Sequence, residues 1–165
     1  MNAPMIRDCT DADVPRICDI YNHYIRETVI TFEETPLPVA EMARRVAEVR
    51  QRFPWLVIEF DGKIGGYAYG SLWKTRSAYR HAIESTIYLA ADAVGRGLGT
   101  ALYSALLEKL SQCDVHRVLG CIALPNEPSV ALHEKLGFKK IGIFDEVGRK
   151  FGRWVDVGYW ELRVE

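Results

Sequence analysis

A single carboxylate sits inside the run "HAIESTIYLA", residues 81–90, and the glycine-rich stretch "VGRGLGT" comes soon after it. The run alternates as a strand does, which sets Ala82, Glu84, Thr86 and Tyr88 on one face. A glutamate placed there could act as a general base, taking a proton from an ammonium group directly or through water. The alternative is an ordinary exposed face of an antiparallel strand. Gly95, Gly97 and Gly99 then open a helix-like run, "LGTALYSALL". Glycines allow close backbone approach, and the amides at a helix start are a ready anion site.

Two familiar phosphate loops fit poorly. A Walker loop, G-x-x-x-x-G-K-S/T, would need its second glycine where Thr100 stands, and no lysine follows. A dinucleotide fingerprint needs G-x-G-x-x-G in an early βαβ unit, whereas this G-x-G-x-G begins only at residue 95. A plain tight turn between strand and helix is the other reading.

The elements that must position these groups follow from periodicity and turn chemistry. "MIRDCT" reads as a first strand, and Asp11 or Asp13 could cap a helix over "ADVPRICDIYNHYIRE" with Ile17, Ile20, Tyr21, Tyr24 and Ile25 on its apolar side. "TFEETPLP" is a loop, and residues 39–51 form a second helix carrying Val39, Met42, Val46 and Val49. Asp61-Gly62 joins two strands as a hairpin. The helix after the glycines runs to about residue 112, with Leu98, Leu102, Leu106 and Leu110 in register. "HRVLGCIALP" is a strand, "EPSVALHEKLGF" a short helix stopped by Gly137, and "KKIGIFDEVG" and "GRWVDVGYWELRVE" are closing strands. The order β-α-α-β-β-β-α-β-α-β-β predicts an α+β fold, a mixed and mostly antiparallel sheet with helices on both faces.

Composition narrows the function classes. The 165 residues suit one domain, and 48% hydrophobic with 26% charged residues is globular composition. A net charge of −1 gives no basic field for nucleic acid or an anionic membrane. Arg149, Lys150 and Arg153 lie among aromatics in "GRKFGRWVDVGYW", but one short cluster is poor support for single-stranded nucleic acid. No apolar run reaches transmembrane length, and "MNAPMIRDCTDADV" has no apolar signal core, so a cytoplasmic protein is expected. Cys9, Cys18, Cys113 and Cys121 form neither a C-x-x-C pair nor zinc-like spacing, so reduced thiols and no metal site are expected.

The glycine stretch resembles the pyrophosphate-binding motif of GNAT acetyltransferases, Q/R-x-x-G-x-G/A, with Gly97 and Gly99 at its glycines and Val94 at its Gln/Arg position. "LPNEPSVALHEKLGF" resembles the later motif of that family, with Asn126 at its asparagine and His133 where a tyrosine is usual. The stretches "YNHYIRETVITFEETP", "FPWLVIEFDGKIGGYAYGSLWKTRSAYRHAIESTIYL" and "GRWVDVGYWEL" are similar to the phosphinothricin acetyltransferase branch, so the likeness spans nearly the whole chain. The resemblance implies the GNAT fold over residues 1–165 and acetyl-CoA as cosubstrate. Its acceptor would be a small zwitterionic amine such as phosphinothricin, methionine sulfoximine or methionine sulfone.

It further implies cofactor contacts at Ile87, Tyr88, Leu89, Gly95, Arg96, Gly97, Leu98, Gly99, Thr100, Asn126 and Ser129, with Tyr88 and Leu89 supplying oxyanion amides. Arg96 could replace the polar contact that Val94 lacks. Glu84 is the implied base, and either His133 or Tyr103 the acid for the departing thiolate. Acceptor contacts fall on Phe32, Lys74, Thr75, Arg76, Tyr79, Ser85 and Thr86, with Arg80 in the same basic loop. Relatives of this kind are homodimers whose partner helps complete the site. Other acceptors (a polyamine, an aminoglycoside or a protein N-terminus) would favour acidic clusters, which the basic loop opposes. A noncatalytic acetyl-CoA-binding module is the reading from outside enzymology.

Overall fold

The structure is a computed structural model and describes residues 3–164. Its elements are β1 (Met5–Asp8), α1 (Val14–Glu27), α2 (Val39–Arg50), β2 (Trp55–Phe60), β3 (Lys63–Leu72), β4 (Ala82–Leu89), α3 (Leu98–Ser111), β5 (Arg117–Leu124), α4 (Glu127–Lys135), β6 (Lys139–Lys150) and β7 (Arg153–Arg163). The expected order holds, and the closing strand stops short of Glu165, which lies outside the described residues. The strands form one sheet in the order β1-β2-β3-β4-β5-β7-β6. Every neighbouring pair is antiparallel except β4–β5. This is the predicted α+β layout.

Local chemistry explains most element ends. Asp61 and Gly62 have φ of 48° and 74°, the pair of positive values a type I′ hairpin turn requires. Phe151 and Gly152 repeat it at 51° and 74°, which extends β6 to Lys150, beyond the expected end at residue 148. A phenylalanine at positive φ is rare, and so this turn was less legible than Asp-Gly.

Helix α1 buries Ile17, Ile20, Tyr21 and Ile25 as its periodicity predicts. Neither Asp11 nor Asp13 caps it with a side chain. Asp13 instead accepts from the Thr10 amide at 2.7 Å and from both Arg7 guanidinium nitrogens at 2.7 and 2.9 Å. In α2, Met42 and Val46 are buried while Val39, at the first turn, is exposed.

Both sheet faces are covered over β2 to β4. Tyr21 and Tyr24 of α1 pack on Tyr88, whereas Leu110 of α3 packs against Ile83 and Gly70. Tyr88 and Ile83 have opposite parity along β4, so α1 and α3 lie on opposite faces. The stripe Leu98, Leu102, Leu106 and Leu110 is buried, and truncating one of its fully buried members would cost roughly 2–5 kcal/mol.

One break in the sheet matters for function. The parallel pairing runs from Ala82↔Arg117 to Ser85↔Gly120 and stops there. Beyond it, β4 stays with β3 as far as Leu89↔Gly66, and β5 stays with β7 as far as Leu124↔Asp156. Each strand is held by its antiparallel partner, so the two part and leave a notch between them.

Candidate active site

A cleft of about 210 Å³ occupies that notch. Glu84, Thr86, Tyr88, Cys121 and Ala123 line it, and so do Ser85, Ile87, Ile122, Asn126, Ser129 and His133. On β4 the first group has the parity that faces α1 and the second the parity that faces α3. The cleft therefore connects the two faces of the sheet. Ile30, Thr31 and Phe32 close the α1 side from the loop between α1 and α2.

Glu84 projects into the α1 side. Burial pushes its carboxyl above the usual carboxylate range, with the Lys74 ammonium pulling weakly the other way. Among the described residues, no side chain or amide hydrogen-bonds to it. A raised, unpaired carboxylate in a cleft matches what a general base requires.

On the α3 side the structure joins residues that the sequence offered only as alternatives. His133 Nδ1 lies 2.7 Å from the Ser129 carbonyl, which can only accept, so Nδ1 carries the proton. Nε2 is then the acceptor for the Tyr103 hydroxyl at 3.0 Å. Tyr103 in turn accepts from Ser85 Oγ, which also sits 3.4 Å from the Leu119 carbonyl. The chain reads Ser85 to Tyr103 to His133 to the Ser129 carbonyl. Burial lowers the His133 pKa and raises that of Tyr103, which favours the neutral form of each. Tyr103 is fully buried and absent from the cleft wall, while Ser85 and His133 reach it. Gly120 makes room, since a Cβ there would meet His133 Cδ2 and Nε2 at 2.6 Å.

The glycine stretch builds backbone donors. Gly95 and Gly97 have φ of 79° and 74°, conformations that disfavour a side chain. Gly99 is ordinary helix, where a Cβ would sit 3.4 Å from Leu89 and 3.6 Å from Leu132. Among the described residues no side chain caps α3, and its first turn closes with Ala101 N–H donating to the Gly97 carbonyl at 3.3 Å. The amides of Leu98, Gly99 and Thr100 have no intrahelical acceptor and are available to an anion.

The β3–β4 ladder sets which strand amides face the notch. Ala90 N–H bonds the Gly65 carbonyl and Trp73 N–H bonds the Ala82 carbonyl, so even-numbered β4 residues bond β3. The amides of Ile87 and Leu89 therefore point into the gap left by β5. Tyr88 directs its amide to β3, which replaces it by Ile87 as the partner of Leu89. Asn126 opens α4, its Oδ1 accepting from Ser129 N–H at 3.3 Å.

Other expected residues sit apart from the cleft. Arg96 stacks on the Phe60 ring at 4.7 Å, in a separate hollow with Arg16 and Lys63. Lys74 lies over the Trp73 ring, and Tyr79 meets the same ring edge-on. Thr75, Arg76 and Tyr79 are exposed and outside the cleft, and Arg80 bonds the Ser77 carbonyl. Sequence reasoning missed Thr31 and Cys121. Cys121 lies across the β4–β5 gap from Glu84, a proximity that only the pairing of β4 with β5 reveals. All four cysteines are free.

The chain matches the acetyltransferase (GNAT) domain over residues 6–158. It belongs to the GNAT acetyltransferase family. The phosphinothricin N-acetyltransferase of Streptomyces viridochromogenes is 40% identical to this GNAT chain over 160 residues, covering 97% of the chain and 87% of the relative. The L-methionine sulfoximine/L-methionine sulfone acetyltransferase of Pseudomonas paraeruginosa is 36% identical over 162 residues, covering 97% and 94%. The solved GNAT phosphinothricin acetyltransferase from Sinorhizobium meliloti, in complex with acetyl-CoA, aligns with a TM-score of 0.95 at 34% identity. That alignment covers 99% of this chain and 89% of the other.

Proposed function

We propose that this GNAT acetyltransferase transfers the acetyl group of acetyl-CoA to the free amine of a small amino-acid-like acceptor, of the class that includes phosphinothricin, methionine sulfoximine and methionine sulfone. The observation that carries this reading is the through-sheet cleft, with the Glu84 carboxylate on one side and free backbone amides on the other. Acetyl-CoA, when bound, supplies a thioester acetyl group. The protein fits it with the α3 amides of Leu98, Gly99 and Thr100 for the pyrophosphate, the Ile87 and Leu89 amides in the notch, and Asn126 and Ser129 on the opposite wall.

The residues then divide the work. Glu84 takes the proton from the acceptor's ammonium, leaving a neutral amine that can attack. The Ile87 and Leu89 amides offer hydrogen bonds to the negative charge developing on the carbonyl oxygen. Ser85 is the hydroxyl that can protonate the departing thiolate. Tyr103, backed by His133, holds the Ser85 oxygen in place, and the proton the thiolate finally takes up balances the one the attacking nitrogen releases. Phe32 and Thr86 bound the acceptor. Lys74 supplies positive charge beside Glu84, and Thr75, Arg76 and Tyr79 extend the same loop toward the acceptor's anionic groups. Glu84 is the sole carboxylate on the cleft wall among the described residues, which disfavours polycationic acceptors.

We place the whole chain in one catalytic domain, 1–165, acting as a homodimer in the cytoplasm. The support for pairing is an apolar strip on β6, where Ile141, Ile143 and Phe144 are exposed beside Trp73 and Tyr159. The four free cysteines suit a reducing compartment. No helix among the described residues is long and apolar enough to cross a membrane.

The test is CoA release with the three acceptors, wild type against Glu84→Gln. Turnover on at least one is expected, with kcat falling about 10²–10⁴-fold in the variant and acetyl-CoA affinity by calorimetry unchanged. Turnover that survives in the variant removes Glu84 as base. Tight acetyl-CoA binding without turnover on any amine supports the noncatalytic reading.

A further inference from the structure

Lys150 is almost fully buried, 1% exposed, yet no carboxylate lies within ion-pair distance of it among the described residues. Burying an ammonium is costly unless something specific holds it. Its Nζ donates to the Thr31 carbonyl at 2.7 Å and lies over the Phe151 ring at 5.1 Å. Thr31 is thereby clamped from two directions. Its carbonyl is held by β6, and its hydroxyl lies 2.8 Å from the Tyr21 hydroxyl of α1. The next residue is Phe32, which shares the acceptor side of the cleft with Glu84.

A second contact joins the same two segments. The Phe32 ring lies against Gly148, so closely that a Cβ at 148 would overlap it. Register explains how Gly148 and Lys150 come to be there. Phe144 pairs with Val157 but Gly148 pairs with Val155, so β6 advances four residues while β7 advances two. The bulge is pinned by Glu146, at φ 50°, whose amide donates to Asp156 at 2.7 Å. The two surplus residues set how far the hairpin slides and which residues meet the loop.

We propose that Lys150 is a positioning residue for the acceptor wall. Together with the bare backbone of Gly148, it fixes Thr31 and Phe32, so the β6–β7 hairpin decides which acceptor side chain fits. The hairpin acts on acceptor recognition and leaves acetyl-CoA binding and the proton-transfer groups alone. The inference rests on the assignment of this cleft to the amine acceptor.

The experiment compares Lys150→Met, which keeps the length of the stem and loses the donor, with wild type on the three acceptors. The acceptor KM is expected to rise at least fivefold, with kcat and the acetyl-CoA KM within twofold. That split is the reverse of the kcat loss expected for Glu84→Gln. Equal changes in both KM values, or no change in the acceptor KM, overturn the proposal. Gly148→Ala, made alone and with Phe32→Ala, covers a Lys150 variant that fails to fold. The alanine at 148 should raise the acceptor KM when Phe32 is present and change it less than twofold when Phe32 is absent. Additive effects overturn the proposal. Hydrogen exchange of residues 30–33 in Lys150→Met reads the clamp without turnover, so an enzyme inactive on all three acceptors would count against the proposed function only. Faster exchange there, with α3 unchanged, is the supporting result. Unchanged exchange at 30–33 is the overturning one.

Discussion

At the residue scale, the two groups to which we assign proton transfer are neighbours on one strand and line one cleft from its two sides. Glu84 and Ser85 are consecutive, so their side chains leave β4 on opposite faces. One carboxylate can therefore accept a proton from the acceptor while the neighbouring hydroxyl serves the other substrate. Their environments differ in kind: Glu84 is partly buried with no hydrogen bond to its carboxylate among the described residues, and Ser85 ends a chain of three side chains. Because burial raises the Glu84 pKa, its base form is lost as pH falls, starting from a higher pH than for an ordinary glutamate. Lys74 opposes that rise, so Lys74→Met should move the acidic limb of the kcat/KM profile to higher pH. A limb that stays in place would assign it to another group. Tyr103→Phe keeps the ring but cuts Ser85 from His133. It should lower kcat tenfold or more while leaving the acetyl-CoA KM unchanged, as steady-state kinetics would show.

At the element scale, the glycines and the entry to α1 make distinct predictions. Gly97 is left-handed with open space around it, so Gly97→Ala should cost about 1–2 kcal/mol through backbone strain alone. Gly99 is helical with ordinary contacts to Leu89 and Leu132, so Gly99→Ala should leave stability equal or higher. Urea unfolding of the two variants separates the turn's requirement from the helix's. Ahead of α1, hydrogen bonding to Arg7 holds the Asp13 carboxyl down at about 2, below its ordinary 3.8. A depressed pKa stabilises the fold above the unfolded value, and that contribution is lost as pH falls from about 4 through 2. Asp13→Asn should therefore lose about 2 kcal/mol at pH 7. The gap from wild type should close on acidification over that window.

At the scale of the whole molecule, coverage of the sheet is uneven. Helices cover both faces over β2 to β4, but the strip Ile141, Ile143 and Phe144 on β6 is left open. A second copy of the chain would cover it. Phe144→Asp should convert a dimer to a monomer in sedimentation velocity, and a monomeric wild type would remove the homodimer from the proposed function. The same surface bounds the hollow containing Trp73 and Lys74, so loss of pairing should also weaken acceptor binding. The exposed Thr75, Arg76 and Tyr79 lie next to it in sequence, which makes that variant a test of their role as well.

Element order, both helix stripes around Ile17 and Leu102, the Asp61-Gly62 turn and the parity of Glu84 were legible in the sequence. Each depends on residues within a few positions of one another: helical or strand period, or a glycine's positive φ. The motif likeness at Gly97 and Asn126 placed the family for the same reason, since each motif is a continuous stretch. What the tertiary structure decided is non-local. The parting of β4 from β5 arises because β3 and β7 hold them separately, and it alone brings Cys121, Asn126 and Ser129 round to Glu84. Tyr103 and His133, candidates for one role in the sequence, become successive links because α3 and α4 meet over Gly120. Lys150 reads as part of a basic cluster along the chain, yet it is buried against Thr31, 119 residues away. Pairing of that kind depends on the register of a bulged hairpin and on packing between distant elements, which no local period encodes.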